Sequence, residues 1–546
     1  MQERASGINR QKAITALCFV LIGVCFMYSV VLRQKWFARP LGPHHEWLTA
    51  HSVCVTRNWL NDGAFKLKFM HVLNPDSIEF SGLALRDPYV SYPPGAFIPA
   101  FLIAKAFGIQ DLIRLYQAYN LANHLAIAWM LFALMLMIID GVKAVSPGNI
   151  AFSAAPSLVY LFTPPTLYWH QNVFFADQAV MLFFVIFVYL EMKYYLNRTL
   201  KSADRLLLGG TVFLGVLTDW LFVFVIAVAA VLRVLFFSKD ASGRVRQIAV
   251  SARTFVAPAL AGIGIYAYQI FSAGALGRLL KTFFWRSGVG WKGIFPGFLE
   301  HYLAGHIVDG YGLVLTLSTV AAVVMVFLYG AFEKGRGKTP ARERGLAGTA
   351  VYLVLLTVLP CVLQGLVFQQ HSMIHDFAAL KWALSFSLIP FGIFPVVYFT
   401  RAPEMRRRKM LDLAFLLSFF VLLSGGVFFR TAFCYERFFG EDDDQYKRVG
   451  ELVKRNAAYH DLCLSFDFEI TDLPPEALAY SQKRVYRITE LHEAEELAAQ
   501  LPKGQARVKI FLFPATWETM RDALADACSA VYTDSDTHIC VIEGRK

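Results

Sequence analysis

Arg205–Phe237 reads RLLLGGTVFLGVLTDWLFVFVIAVAAVLRVLFF. This run exceeds the roughly 20 residues that one helix needs to cross a bilayer. Asp219-Trp220 interrupts it near the middle. It therefore predicts a helical hairpin, two apolar helices turned at an acid. An acid inside an apolar run is a functional signal by default, although a turn at a wet surface makes it cheap. Further apolar segments lie at about 13–32, 94–108, 117–140, 149–164, 177–196, 254–272, 311–330, 346–368, 379–399 and 410–430. Their recurrence predicts a polytopic α-helical membrane protein with about 11 to 13 transmembrane helices.

Composition agrees. Hydrophobic residues make up 56% of the 546, charged residues only 17%, and 48 residues are Phe. Soluble domains carry about 25% charged residues, so an ordinary cytosolic enzyme is excluded. The net charge of +11 divides unevenly. Residues 1–430 hold 20 Asp+Glu against 38 Lys+Arg, whereas residues 431–546 hold 21 against 14. Cations in short loops between apolar spans follow from membrane topology and call for no nucleic-acid partner. Arg4, Arg10 and Lys12 place the N-terminus in the cytoplasm. The loops with Lys334, Arg336, Lys338, Arg342, Arg344 and with Arg401, Arg406, Arg407, Arg408, Lys409 are expected there too. The loop 273–310 and everything after 430 then fall outside. That arrangement needs an odd number of crossings, and one more crossing between 94 and 165 would restore parity.

Residues 1–430 thus read as a transmembrane domain, with 33–92 and 273–310 as outer loops. Residues 431–546 read as a small extracytoplasmic α/β domain. Val485–Ile488, Val508–Phe513 and Ile539–Ile542 read as strands; Tyr446–Ala458, Leu491–Leu501 and Thr516–Ala530 read as amphipathic helices. Cys434, Cys463, Cys528 and Cys540 lie in this domain, where an oxidising compartment permits disulfides. Sequence leaves their pairing open, free thiols included.

Candidate chemistry clusters at the outer edges. Pro43-His44-His45-Glu46-Trp47 opens the first outer loop and His51 follows. A solvated juxtamembrane helix accounts for the pattern. So does a catalytic carboxylate, Glu46, with His44 and His45 able to tune it or to hold a divalent metal with it. Tyr92-Pro93-Pro94-Gly95 presets a helix start. Tyr168-Trp169-His170-Gln171-Asn172-Val173-Phe174-Phe175-Ala176-Asp177 ends in an acid at a helix N-terminus, where a structural cap is the plain explanation. Arg278, Lys281, Arg286 and Lys292 stand among aromatics in the loop 273–310, against the usual topological bias. These four are phosphate-binding candidates, with an interfacial amphipathic helix as the plain alternative. His371, His375 and Asp376 precede Lys381-Trp382, and the two histidines at i, i+4 share a face if helical. Tyr92, His371, His375 and Asp376 are substrate-binding candidates.

First helix, acidic motif in the outer loop, Tyr-Pro-Pro helix start, then an aromatic stretch ending in Asp: this order resembles the GT-C superfamily of membrane glycosyltransferases. The branch with protein O-mannosyltransferases and lipid A aminoarabinose transferases is the nearest. The resemblance covers about 13–430. It implies a polyprenyl-phosphate sugar donor, a glycan, lipid or protein acceptor, membrane lipids as partners, and transfer on the outer face. It implies Glu46 as the base and Asp177 as the second acid. The family commonly has Asp-Glu where this chain has His45-Glu46, so His45 assists or substitutes. Ser91 stands near a Glu of some members, which weakens any metal site using that Glu. A transporter or flippase, and a non-catalytic component of envelope glycan assembly, are the rival readings.

Overall fold

The computed structural model describes residues 2–42, 44–73, 88–142, 147–238, 240–290, 293–335, 341–396, 425, 444–458, 461–466, 475–483, 485–500, 507–535 and 537–543. The expected span 410–430, the basic loop 401–409, Lys292 and Cys434 lie outside them.

Among the described residues seven helices are long and apolar enough to cross a membrane. They are Asn9–Trp36, Leu112–Gly141, Ala176–Asn197, Ala241–Ser272, Leu313–Ala331, Gly345–Val367 and Asp376–Val396. Shorter apolar helices are Pro94–Phe107, Asn149–Phe162 and Leu221–Phe237. Val20, Val24, Leu260, Phe271, Leu313 and Leu317 are all exposed on such helices, a surface that only lipid would cover. The chain is an integral, multi-pass membrane protein.

The hairpin is present as Ser202–Val216 and Leu221–Phe237. Its acid is not a wet turn, however: Asp219 is fully buried, and its Oδ1 accepts from the Leu221 amide at 2.6 Å. The helix expected at 254–272 begins earlier, at Ala241, and runs through a π-helical turn at Ala252–Val256. Between 94 and 165 the described residues hold three apolar helices, Pro94–Phe107, Leu112–Gly141 and Asn149–Phe162. The loop 273–310 is largely helical, with Leu276–Ser287 and then Ile294–Tyr311. Within the bundle, Arg233 grips Glu191 at 2.8 and 2.6 Å, and Tyr352 donates to the same carboxylate at 2.6 Å. One buried charge pair thereby ties three helices.

Contacts divide the chain into two compact units. The first comprises Met1–Phe37, Ser91–Ala96 and Gln117–Phe438; the second comprises Ala38–Val90, Phe97–Tyr116 and Phe439–Lys546. The second holds the α/β domain. Its five strands are β1 (Leu462–Ser465), β2 (Val485–Arg487), β3 (Arg507–Leu512), β4 (Ala530–Asp534) and β5 (Thr537–Glu543), in the order β2-β1-β3-β5-β4. The pairs β1–β2 and β1–β3 are parallel; β3–β5 and β4–β5 are antiparallel. Leu462, Leu464, Ile510, Leu512, Leu497 and Leu524 form the core. The helix expected over Thr516–Ala530 stops at Leu524, and Ala530 begins β4. Val531-Tyr532-Thr533 is β-branched and aromatic, which suits a pleated strand better than a fourth helical turn. Cys528 is bridged to Cys540, and Cys463 is buried in β1.

Candidate active site

In the first unit the aromatic stretch before Asp177 is built by satisfying its backbone. Thr163 is extended, as a residue before proline prefers, and Pro164-Pro165 open the short helix Pro164–Trp169. Asn120 Nδ2 then donates to the carbonyls of Trp169 and Val173 at 2.8 Å and of Gln171 at 3.4 Å. Arg33 Nη1 donates to the Leu167 carbonyl at 3.2 Å, and Gln117 Nε2 to Asn172 Oδ1 at 3.0 Å. His170 shares a hydrogen bond with the Tyr160 hydroxyl at 2.7 Å. Burial, and then the Arg33 charge, pull the His170 pKa down to about 3, so its ring is neutral. A buried irregular segment needs every one of these partners.

This frame delivers Asp177 on the first turn of Ala176–Asn197. Asp177 is not the cap: the N-cap residue is Phe175, without a side-chain cap bond. Asp177 Oδ1 instead lies 2.7 Å from Lys381 Nζ, and both groups are buried. Lys381 also reaches both Asp219 oxygens at 3.3 Å, and Gln364 Nε2 donates to Asp219 Oδ1 at 3.2 Å. The Tyr92 hydroxyl donates to Asp177 Oδ2 at 3.3 Å and lies 3.1 Å from His371 Nε2. With that hydroxyl proton spent on Asp177, His371 Nε2 carries the proton between the two. The Arg286 guanidinium stacks over the Tyr92 ring at 4.6 Å.

Tyr92 is held by the turn after it. The Gly95 amide donates to the Leu217 carbonyl at 2.7 Å, and Trp220 Nε1 donates to the Ser91 carbonyl at 2.9 Å. A Cβ on Gly95 would sit 2.5 Å from the Leu217 oxygen, so only glycine fits.

Of the sequence candidates, the structure thus gathers Tyr92, Asp177, Arg286 and His371. His375 lies past the end of helix Gln369–Ile374, its ring 4.7 Å from His371 and stacked on Phe377. Asp376 opens the next helix and is half-buried. Arg278 and Lys281 are exposed on the helix that carries Arg286 and do not join the cluster. Asp219, the acid inside the apolar run, does join it, and Lys381 and Gln364, which were not site candidates, complete the cluster. The available signal was a charged residue inside an apolar segment, which both Lys381 and Asp219 show.

Glu46 belongs to the second unit. It is fully buried at the N-terminus of helix Trp47–Asn58. Arg39 Nη2 donates to its Oε1 at 3.1 Å and the Gly42 amide to its Oε2 at 3.1 Å. His44 and His45 adopt left-handed backbone angles, φ 45° and 66°, so the loop turns here rather than continuing as a juxtamembrane helix. His45 Nδ1 accepts from Trp47 Nε1 at 3.3 Å. His51 lies deeper in the helix against His71, Tyr89 and Phe97, and burial pulls its pKa down to about 3. Among the described residues no group of three His, Cys, Asp or Glu side chains is placed to hold a metal ion.

No protein-family model matches the sequence, and no curated protein matches it. Solved structures do. ArnT from Cupriavidus metallidurans, bound to undecaprenyl phosphate, superposes with a TM-score of 0.56 over 96% of this chain and 97% of its own, at 11% identity. The archaeal oligosaccharyltransferase AglB from Archaeoglobus fulgidus, in complex with an inhibitory peptide and a dolichol-phosphate, superposes at 0.54 and 11% identity. The same enzyme with Zn and sulfate gives 0.53 and 12%. This chain spans 64% and 62% of the length of those two archaeal chains. At such identities the likeness is one of architecture: the chain has the fold of the GT-C membrane glycosyltransferases, a multi-helix membrane body followed by a small α/β domain.

Proposed function

We propose that this protein is a membrane glycosyltransferase. It moves a sugar from a polyprenyl-phosphate donor to a hydroxyl of a lipid, glycan or protein acceptor on the extracytoplasmic face. The N-terminus is cytoplasmic and the C-terminal domain outside. The observation that carries this reading is the buried cluster of Tyr92, Asp177, Asp219, Arg286, His371 and Lys381, in a fold whose solved examples hold undecaprenyl phosphate or dolichol-phosphate.

The leaving group is a lipid phosphate. As the bond from the anomeric carbon to the phosphate oxygen breaks, the electron pair stays on the phosphate. Arg286 and Lys381 meet that charge, with Tyr92 and His371 holding the cluster around them, and fixed cations in a dry site are worth more than in water. Asp177 and Asp219 hold Lys381 in place. Glu46 takes the proton of the acceptor hydroxyl as its oxygen attacks, and His45 assists beside it. Attack opposite the leaving phosphate inverts the anomeric centre. Exposed Arg278 and Lys281, and Lys292 after them, draw the anionic headgroup in. His375 and Asp376 bind the acceptor.

The test is transfer by the purified protein in nanodiscs from polyprenyl-phosphate sugars, together with mass spectrometry of lipid-linked sugars in a deletion strain. Glu46→Gln and Asp177→Asn each lower transfer by about 10²-fold or more while the protein stays folded. A folded, fully active Glu46→Gln removes Glu46 as base. No accumulated lipid-linked sugar and no altered glycan rejects the transferase in favour of a transport or assembly role.

A further inference from the structure

The C-terminal part of the chain returns to the Glu46 loop within the second unit. Helix Pro475–Ser481 meets that loop at one point and the following helix Trp47–Asn58 at two. The Leu41 amide donates to the Tyr480 hydroxyl at 2.7 Å. Arg57 Nη1 donates to the Ala479 carbonyl at 2.9 Å, and Cys54 Sγ lies 3.7 Å from the Pro475 carbonyl. Leu41 sits between Arg39 and Gly42, the two residues that hold the Glu46 carboxylate. Tyr480 thus grips the arc that carries two partners of Glu46. Leu41 is 1% exposed, so its amide has no water to turn to if Tyr480 is lost.

One turn before Tyr480 on the same helix stands Glu476, 6% exposed. Burial pushes its pKa up to about 7; its own backbone amide opposes this, and the Glu46 charge adds to it. The titratable groups that bear on it and on Tyr480 are Glu46, Cys54 on Trp47–Asn58 and Glu451 on Gln445–Asn456, and Arg57 stands beside Cys54. Two carboxyls that face each other away from water do not both ionise readily. Glu46 accepts from Arg39 and the Gly42 amide, whereas Glu476 is the carboxyl that burial pushes up to about 7.

We propose that helix Pro475–Ser481 is a positioning element of the Glu46 loop, with Tyr480 fixing the arc Arg39–Gly42 and Glu476 the buried acid one turn before it. The C-terminal domain is then part of the catalytic apparatus rather than a cover. This rests on Glu46 being the base of the proposed transfer. As pH rises past neutrality Glu476 ionises, repels Glu46 and loosens the helix.

Two measurements on the full-length protein in nanodiscs test it. Hydrogen exchange of the peptide spanning 38–48 reads the arc without reference to activity. In Tyr480→Phe it speeds by about fivefold, the worth of one buried hydrogen bond, and kcat falls by about tenfold with the donor KM little changed. Arg521→Ala, on an exposed helix of the same domain, changes neither. If Tyr480→Phe does not fold, Arg57→Gln breaks the Ala479 link and gives the same two readouts. In the wild type kcat declines as pH rises through about 7, and Glu476→Gln flattens that decline. Unchanged exchange in Tyr480→Phe, or one pH profile shared by Glu476→Gln and wild type, overturns the proposal. A wild type without transfer at any pH sinks the transferase reading instead, and the exchange result still decides the positioning role.

Discussion

Lys381→Met removes the cation that bridges the two acids of the buried cluster. Its ammonium lies 2.7 Å from Asp177 and 3.3 Å from Asp219. At an effective dielectric near 20, unit charges at these separations attract by roughly 6 and 5 kcal/mol. Repulsion between the two acids and the cost of drying three charges offset much of that. What remains is the asymmetry of a buried ion pair: taking away one partner strands the other and costs roughly 3–5 kcal/mol. Lys381→Met is expected to lose that amount in reversible unfolding titrations in mixed micelles. The triple variant Asp177→Asn, Asp219→Asn, Lys381→Met has no stranded charge and recovers most of the stability, yet transfers no sugar. A double-mutant cycle between Lys381 and Asp177 gives a coupling above about 1 kcal/mol. If Lys381→Met costs less than about 1 kcal/mol, or if its effects simply add to those of the acid variants, the three groups are not the tightly linked unit described.

The same asymmetry applies to the latch in the bundle: Arg233→Met costs roughly 3–5 kcal/mol, while Glu191→Met with Arg233→Met costs far less, again read by unfolding titrations. Gly95→Ala drives a methyl to 2.5 Å from the Leu217 oxygen. It shifts Tyr92 and lowers transfer by about tenfold or more in steady-state assays, while a near-normal rate would show that the turn yields. Folded Glu476 keeps its proton to about pH 7, whereas in the unfolded chain it loses it near 4.5. Stability from this group is full below about pH 4.5 and falls by about 3 kcal/mol as pH rises through 7. Glu476→Gln removes that slope in unfolding titrations run from pH 5 to 8.

Much of the membrane body was legible because burial in lipid forces long apolar runs, and the break at Asp219-Trp220 marked the hairpin directly. Asp177, Arg286, Tyr92 and His371 stood out as polar residues at the edges of such runs. Their mutual geometry did not, because it joins residues as distant as Tyr92 and His371, and no local period encodes that meeting. Lys381 and Asp219 each looked like a lone charge; only the fold makes them a pair. The end of the helix expected over Thr516–Ala530 was misjudged because Asp526-Ala527-Cys528 fits a helix as well as a turn. Tyr480 and Glu476 were hidden for another reason: nothing near them in the chain relates them to Glu46, more than four hundred residues earlier.

The Arg233–Glu191 pair also bears on how the protein is made. Alone in a bilayer, an arginine in a 17-residue helix is expensive, by about 2.5 kcal/mol or more at mid-depth. Its partner acid is synthesised 42 residues earlier, and Tyr352 well over a hundred residues later. Leu221–Phe237 therefore has reason to leave the insertion machinery together with Ala176–Asn197 rather than after it. Biogenesis would then pass through a paired-helix intermediate, whose third side closes only when Ala341–Val367 arrives.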